Sequence, residues 1–234
     1  MKTRLTKLTA TVVATLVLIA CGGGDNATSA SYGGPALVVD ASGYSSFNST
    51  ALGLTLAALP IETLSVAEQA SLAFMREEEK LAHDVYAQMD ARWGASTRVF
   101  GNIANSEATH AEAVRQLLLR YTLVDPAATL AAGLFQNSTL QGLYTQLVAS
   151  GAISLIEALK VGAAIEEIDM IDINTALLNI DNQDIRLIYD NLLKGSRNHL
   201  RSFVSNLSNQ GVTYVPQYMA EADYLVIVTT PMER

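Results

Sequence analysis

From Ser65 onward, apolar residues recur at alternating intervals of three and four, the pattern of helices that pack along one face. One seam runs Leu72, Met75, Glu79, Ala82, Tyr86, Met89 and Trp93, and a second Phe100, Ile103, Glu107, His110, Val114, Leu117 and Tyr121. These predict a first long helix over 66–93 and a second over 98–121. Ser65 and Glu68 have capping-box spacing at the start of the first, and Gly94 ends it. The second stops before Asp125-Pro126. A third helix is expected over 153–178, bent near Gly162, and a fourth over 182–208, capped by Asp181 and ended near Gly211. The fourth seam reads Ile185, Tyr189, Leu192, Ser196, His199, Phe203 and Asn206. The third reads Leu155, Leu159, Gly162, Glu166, Asp169, Ile173 and Ala176, but neighbouring isoleucines blur its phase and leave Glu167 a rival to Glu166.

The connections select an architecture. Only a few residues separate the first helix from the second and the third from the fourth, so each pair is an antiparallel hairpin. Between the second and third lies a long crossover with a short helix near 139–149. Two hairpins joined by one crossover give an all-α, ferritin-like four-helix bundle over 61–211. Residues 35–60 show no helical period and read as an irregular arm or poor strand region. In the C-terminal tail, 212–234, the run Tyr224 to Val228 reads as a strand or a wrapped segment.

Composition adds a leader. Lys2, Arg4 and Lys7 precede an apolar run from Leu8 to Ala20, a secretory signal too short to span a membrane as a helix. The run ends in Leu18-Ile19-Ala20-Cys21, which resembles the lipobox of bacterial lipoproteins. That resemblance implies cleavage before Cys21, lipidation of its thiol, and a lipid-anchored location at the outer membrane facing the periplasm. Residues 21–34 hold five glycines and read as a tether. Without residues 1–20, 12 Lys and Arg face 23 Asp and Glu, a net charge of −11. Such acidity argues against a nucleic-acid partner, and one cysteine excludes disulfide and CxxC sites.

Three ionisable groups interrupt the first two seams near their middles: Glu79, and Glu107 with His110. A carboxylate placed inside a bundle must be protonated, paired or bound to a metal. Glu166 and His199 lie at comparable depth on the other hairpin, so the polar residues converge on one layer. Glu77, Glu78 and His83 read as solvent-face charges, and Met75 and Met89 as core fillers.

Glu107-Ala-Thr-His110 places a carboxylate and an imidazole on one helical face, as di-iron and di-manganese ferritin-like proteins require. The stretches MREEEKLAHDVY (75–86), VFGNIANSEATHAEAV (99–114), GAAIEEIDMIDI (162–173) and LLKGSRNHLRSF (192–203) closely resemble the ferritin-like family called domain of unknown function 2202. The resemblance implies Glu79, Glu107, His110, Glu166 and His199 as metal ligands. In the fourth helix, Ser196 stands where a second Glu-x-x-His would have its Glu. Asp169, three residues after Glu166, is the candidate replacement; otherwise the second metal is weak or the site mononuclear. Tyr86, Tyr189, Ser196 and Glu167 are candidates for neighbours of the ligands.

The implied cofactor is iron, with manganese and zinc as alternatives, as one or two ions. The implied chemistry is ferrous oxidation or peroxide reduction, with dioxygen or peroxide as partner and an external electron donor. Enzymatic turnover is left open against a metal-holding or structural envelope lipoprotein whose buried Glu/His network is metal-free. Oligomeric state, a dimer included, is also open.

Overall fold

In a computed structural model of the chain, residues 36–40 and 44–234 are described; the expected signal sequence, the expected lipidation site Cys21 and the expected tether lie outside them. Four long helices form the core: α2 (Val66–Trp93), α3 (Val99–Arg120), α5 (Leu155–Leu177) and α6 (Gln183–Asn209). The first pair forms one hairpin and the second pair another, with α2 also against α5 and α3 against α6. This is the ferritin-like bundle.

The crossover carries α4 (Ser138–Gly151), which packs on α2 and α5. Preceding the bundle are a hairpin of β1 (Leu37–Val39) and β2 (Ser45–Phe47) and a helix, α1 (Ser49–Ala58). The strands are antiparallel, with Leu37 opposite Phe47 and Val39 opposite Ser45. A short helix, α7 (Glu221–Val228), follows the bundle.

Local chemistry explains the helix starts. Ser65 accepts from the Glu68 amide at 3.1 Å, and the Glu68 carboxylate accepts from the Ser65 amide at 2.8 Å, closing the capping box. The same carboxylate accepts from the amides of Asp181 and Asn182, both at 3.3 Å, where α6 begins. The expected Asp181 cap is therefore corrected: Asn182 is the cap residue, without a capping bond from its side chain, and Glu68 supplies the anion at that helix end.

Both arms are more regular than expected. Helix α1 is apolar nearly all round, so its buried face (Ala51, Leu52, Leu56) leaves no amphipathic trace. The run Tyr224–Val228 is helical rather than a strand, because Arg201 of α6 reaches its end and donates to the carbonyls of Ile227 at 2.8 Å and Thr230 at 3.1 Å. A guanidinium at a helix C-terminus both satisfies free carbonyls and complements the dipole.

Glu77 and Glu78 are buried, not on a solvent face, while His83 is partly exposed. The Glu77 carboxylate accepts from the amides of Gln136, at 2.5 Å, and Asn137 at the start of α4, which fastens the crossover to α2. Among the described residues, no helix is long and apolar enough to cross a membrane.

Close approach is needed at Gly162. A Cβ there would lie 2.4 Å from the Phe203 ring, whose other contacts are Tyr86, at 5.2 Å between centroids, and Phe100, at 5.8 Å. Gly162→Ala should destabilise the fold by about 1–3 kcal/mol through overpacking. Gly142→Ala, mid-helix in α4 with nothing within 4 Å, should stabilise it by about 0.5–1 kcal/mol. Urea unfolding of the two variants should therefore shift the midpoint in opposite directions.

Candidate metal centre

The middle turns of the long helices bring Glu79 from α2, Glu107 and His110 from α3, Glu166 from α5 and His199 from α6 into one layer. Each is no more than 3% exposed. Two groups have ligand atoms within 4.8 Å of one another: Glu79, Glu107 and His110, and Glu107, Glu166 and His199. Glu107 belongs to both.

Its two oxygens are divided between the imidazoles. His110 Nδ1 lies 2.8 Å from Glu107 Oε2 and 3.4 Å from Glu79 Oε2. His199 Nδ1 lies 2.9 Å from Glu107 Oε1 and 3.5 Å from Glu166 Oε2. The rings are stacked, with centroids 5.4 Å apart and planes inclined by 22°. Despite these separations, neither Nδ1 meets an oxygen in a hydrogen-bonding direction, and Glu79 Oε1 has no hydrogen-bond partner. Two imidazole nitrogens and a carboxylate oxygen, all buried and without hydrogen-bond partners, are a donor set consistent with a ferritin-like metal site.

Burial and mutual charge set the electrostatics of the layer. Burial pushes Glu79 up to about 7, against the opposing pull of His110. Burial acts on Glu107 in the same sense, but the charges of His199 and His110 outweigh it and hold this carboxyl well below the usual range. Burial opposes protonation of His199, yet Glu107 and Glu166 raise it to about 9. His110 is raised well above its ordinary value, burial being overcome by Glu107 and Glu79. Glu166 is raised by burial and by the charge of Glu107. Glu107 and the two imidazoles thus favour one another's ionised forms against burial.

The neighbours fall into distinct roles. Tyr86 donates to Glu166 Oε1 at 2.5 Å and to the Gly162 carbonyl at 3.2 Å, so this phenol orients a carboxylate of the layer. Ser196 donates to Asp169 Oδ2 and to the Leu192 carbonyl, leaving Asp169 Oδ1 unsatisfied. Asp169 stands outside both three-residue groups, yet with Glu78, Glu79, Glu107 and Glu166 it lines a narrow cavity of about 10 Å³. That volume suits about one water or ion. Glu78 Oε2 is also unsatisfied, and burial, with the charges of Asp169 and Asp172, raises this carboxyl well above the ordinary range.

Two expected neighbours take hydrogen-bond partners outside the layer. Tyr189 bonds Ser71 at 2.8 Å. Glu167 accepts from the Tyr214 hydroxyl at 2.6 Å and from the amides of Gln217, Tyr218 and Met219, so it fastens the C-terminal segment while Glu166 takes the inward position. One participant has no counterpart in the helical pattern. Ser45 of β2 places its hydroxyl 2.8 Å from His110 Nε2, and its three-residue strand is too short for alternation to mark it.

Known proteins resemble this chain in sequence and fold. The family described as "Uncharacterized protein domain (DUF2202)" matches residues 68–231. An uncharacterized protein of Methanocaldococcus jannaschii, MJ0754, is 44% identical over 179 residues, covering 76% of this chain and 96% of that protein. The crystal structure of hypothetical protein MJ0754 superposes with a TM-score of 0.73 at 44% identity, covering 75% of this chain and 99% of that one. These matches correct the expected localisation, because the relative comes from an archaeon, which has neither an outer membrane nor a periplasm.

The raised groups set a pH dependence. His199 binds its proton more tightly folded than unfolded, so its stabilising contribution is complete below about 6.5 and is lost as pH rises through about 9. Glu79, raised to about 7, acts in the same sense over a lower window, its contribution complete below about 4.5 and lost as pH rises through about 7. The metal-free protein should therefore melt at progressively lower temperature between pH 6.5 and 9. Glu107→Gln should lower the titration midpoints of both His110 and His199, read from ring resonances, and flatten that slope.

Proposed function

The chain belongs to the DUF2202 family, and we propose that it is a ferritin-like protein that would hold one or two divalent metal ions, iron first, with Glu107 common to both ligand groups. Glu79 and His110 would complete one position, and Glu166 and His199 the other. The observation carrying this reading is the pair of buried, unsatisfied Nδ1 atoms facing one carboxylate from opposite hairpins. Nitrogen and carboxylate donors suit iron, manganese and zinc alike, and the resemblance to ferritin-like proteins puts iron first.

As a ferrous pair, the bound metal would supply two electrons to dioxygen or peroxide, making ferrous oxidation or peroxide reduction the proposed activity. The chain's own residues prepare the layer for it. His110 and His199 carry protons at neutral pH that a cation must displace, so loading releases protons. Glu107 is already ionised and needs no such step. The Tyr86 hydroxyl keeps its proton, raised by burial and by the Glu166 charge, and fixes the orientation of Glu166. Asp169, bonded by Ser196 and lining the same narrow cavity as Glu79, would offer a carboxylate oxygen in place of the glutamate that the fourth helix lacks. Burial excludes bulk water, and repeated turnover would draw electrons from an external donor.

A second reading is a metal holder without turnover, or a metal-free Glu/His network. The charge balance of Glu107 between two imidazolium rings favours it, since that arrangement neutralises part of the layer unaided.

Metal analysis of the purified protein separates these readings. Wild type should carry one to two equivalents of iron or manganese, and Glu107→Ala/His110→Ala should retain less than a tenth of that; equal contents would remove the metal site. Stopped-flow oxidation of added ferrous iron under air should run at least tenfold faster with wild type than in buffer. Metal bound without acceleration would leave the holder.

A further inference from the structure

The Nδ1 edges of the two imidazoles face Glu107; the opposite edges of the rings converge on the N-terminal hairpin. Ser45 is fully buried, and its Oγ lies 2.8 Å from His110 Nε2 and 3.4 Å from His199 Nε2. We propose that Ser45 is a shared positioning residue, whose one hydroxyl oxygen accepts hydrogen bonds from the Nε2–H of both histidines and so turns both Nδ1 atoms toward Glu107. The inference deepens the metal-site reading and rests on it for the role of Nδ1.

Hydrogen-bonding capacity fixes the direction. A serine oxygen has two lone pairs and one proton, so it can accept from two rings but donate to only one. A doubly protonated ring offers Nε2–H. A neutral ring with its proton on Nε2 also does, and that tautomer leaves the Nδ1 lone pair free for a cation. The same two bonds therefore persist from the protonated to the loaded layer. Donation by Ser45 to either Nε2 would instead place that ring's proton on Nδ1, where no cation could bind.

The hydroxyl is held firmly. The Ser45 amide donates to Ser106 Oγ at 2.8 Å, immediately before Glu107 in the chain, and Thr109 Oγ1 donates to the Ser45 carbonyl at 3.4 Å. Ser45 pairs with Val39 across the hairpin, and Phe47 sets its ring edge-on to His110, with centroids 6.1 Å apart. Gly195 makes room. A Cβ there would stand 2.5 Å from His110 Cε1, 2.7 Å from its Nε2 and 3.4 Å from Ser45 Oγ. A three-residue strand, distant in sequence from either histidine, thus completes the imidazole side of the layer.

The test uses the full chain labelled with nitrogen-15 in its three histidines, as wild type, Ser45→Ala and Ser45→Thr, metal-free and with zinc alone as probe. In metal-free wild type, His110 and His199 should each show a slowly exchanging Nε2–H signal, absent from the partly exposed His83. Ser45→Ala should shift both signals and speed their exchange together, while Ser45→Thr, which retains the hydroxyl, keeps both. With zinc, both Nδ1 resonances should move on coordination, and Ser45→Ala should weaken zinc binding about 10–100-fold, with recovery in Ser45→Thr.

A response from only one ring, or from neither, overturns the proposal. So does weaker zinc binding with both ring-proton signals unchanged, because the strand would then act through packing alone. If zinc moves neither Nδ1 in wild type, the metal-site reading falls, and the metal-free spectra still decide whether Ser45 holds both rings.

Discussion

Glu107 is 3% exposed at the centre of the bundle, and a carboxylate so far from water must have positive charge beside it to remain ionised. Two imidazoles provide that charge in the metal-free protein, one from its own helix and one from the opposite hairpin. Because the partners come from α3 and α6, the interaction is made only when both hairpins are docked in register. Glu79 and Glu166 then approach from the remaining two helices, and the layer acquires more negative than positive groups. Fold and candidate chemistry share this constraint: the arrangement that closes the bundle also leaves donor atoms that a cation would satisfy.

Much of this was legible because helical spacing is informative where one face is buried. The seams through Glu79 and through Glu107 and His110 marked acids and an imidazole at positions that had to point inward, and the capping box at Ser65 marked a helix start. Connection lengths then distinguished two hairpins with a crossover from a simple up-and-down bundle. The choice between Glu166 and Glu167 could not be made from spacing, since both sit among isoleucines. Tertiary partners decide it: Tyr86 and His199 meet Glu166, while Tyr214 and three successive amides take Glu167.

What escaped the pattern did so for physical reasons. Glu77 looked like a surface charge because its partners are backbone amides of the crossover, and amides leave no sequence signature. Helix α1 lacks a polar face, so periodicity could not reveal it. Helix α7 depends on Arg201, whose role at a distant helix end is invisible along the chain. The hairpin strand with Ser45 is three residues long, too short for alternation to stand out. In each case the deciding interaction joins segments remote in sequence.

The central claim is that Glu107 is shared between two metal positions. Anomalous diffraction from crystals of the protein loaded with iron, collected at the iron edge, tests it most directly. The expected map has two peaks flanking the Glu107 carboxylate, one beside Glu79 and His110 and the other beside Glu166 and His199. Peaks confined to surface carboxylates, with none in contact with Glu107, would contradict the account.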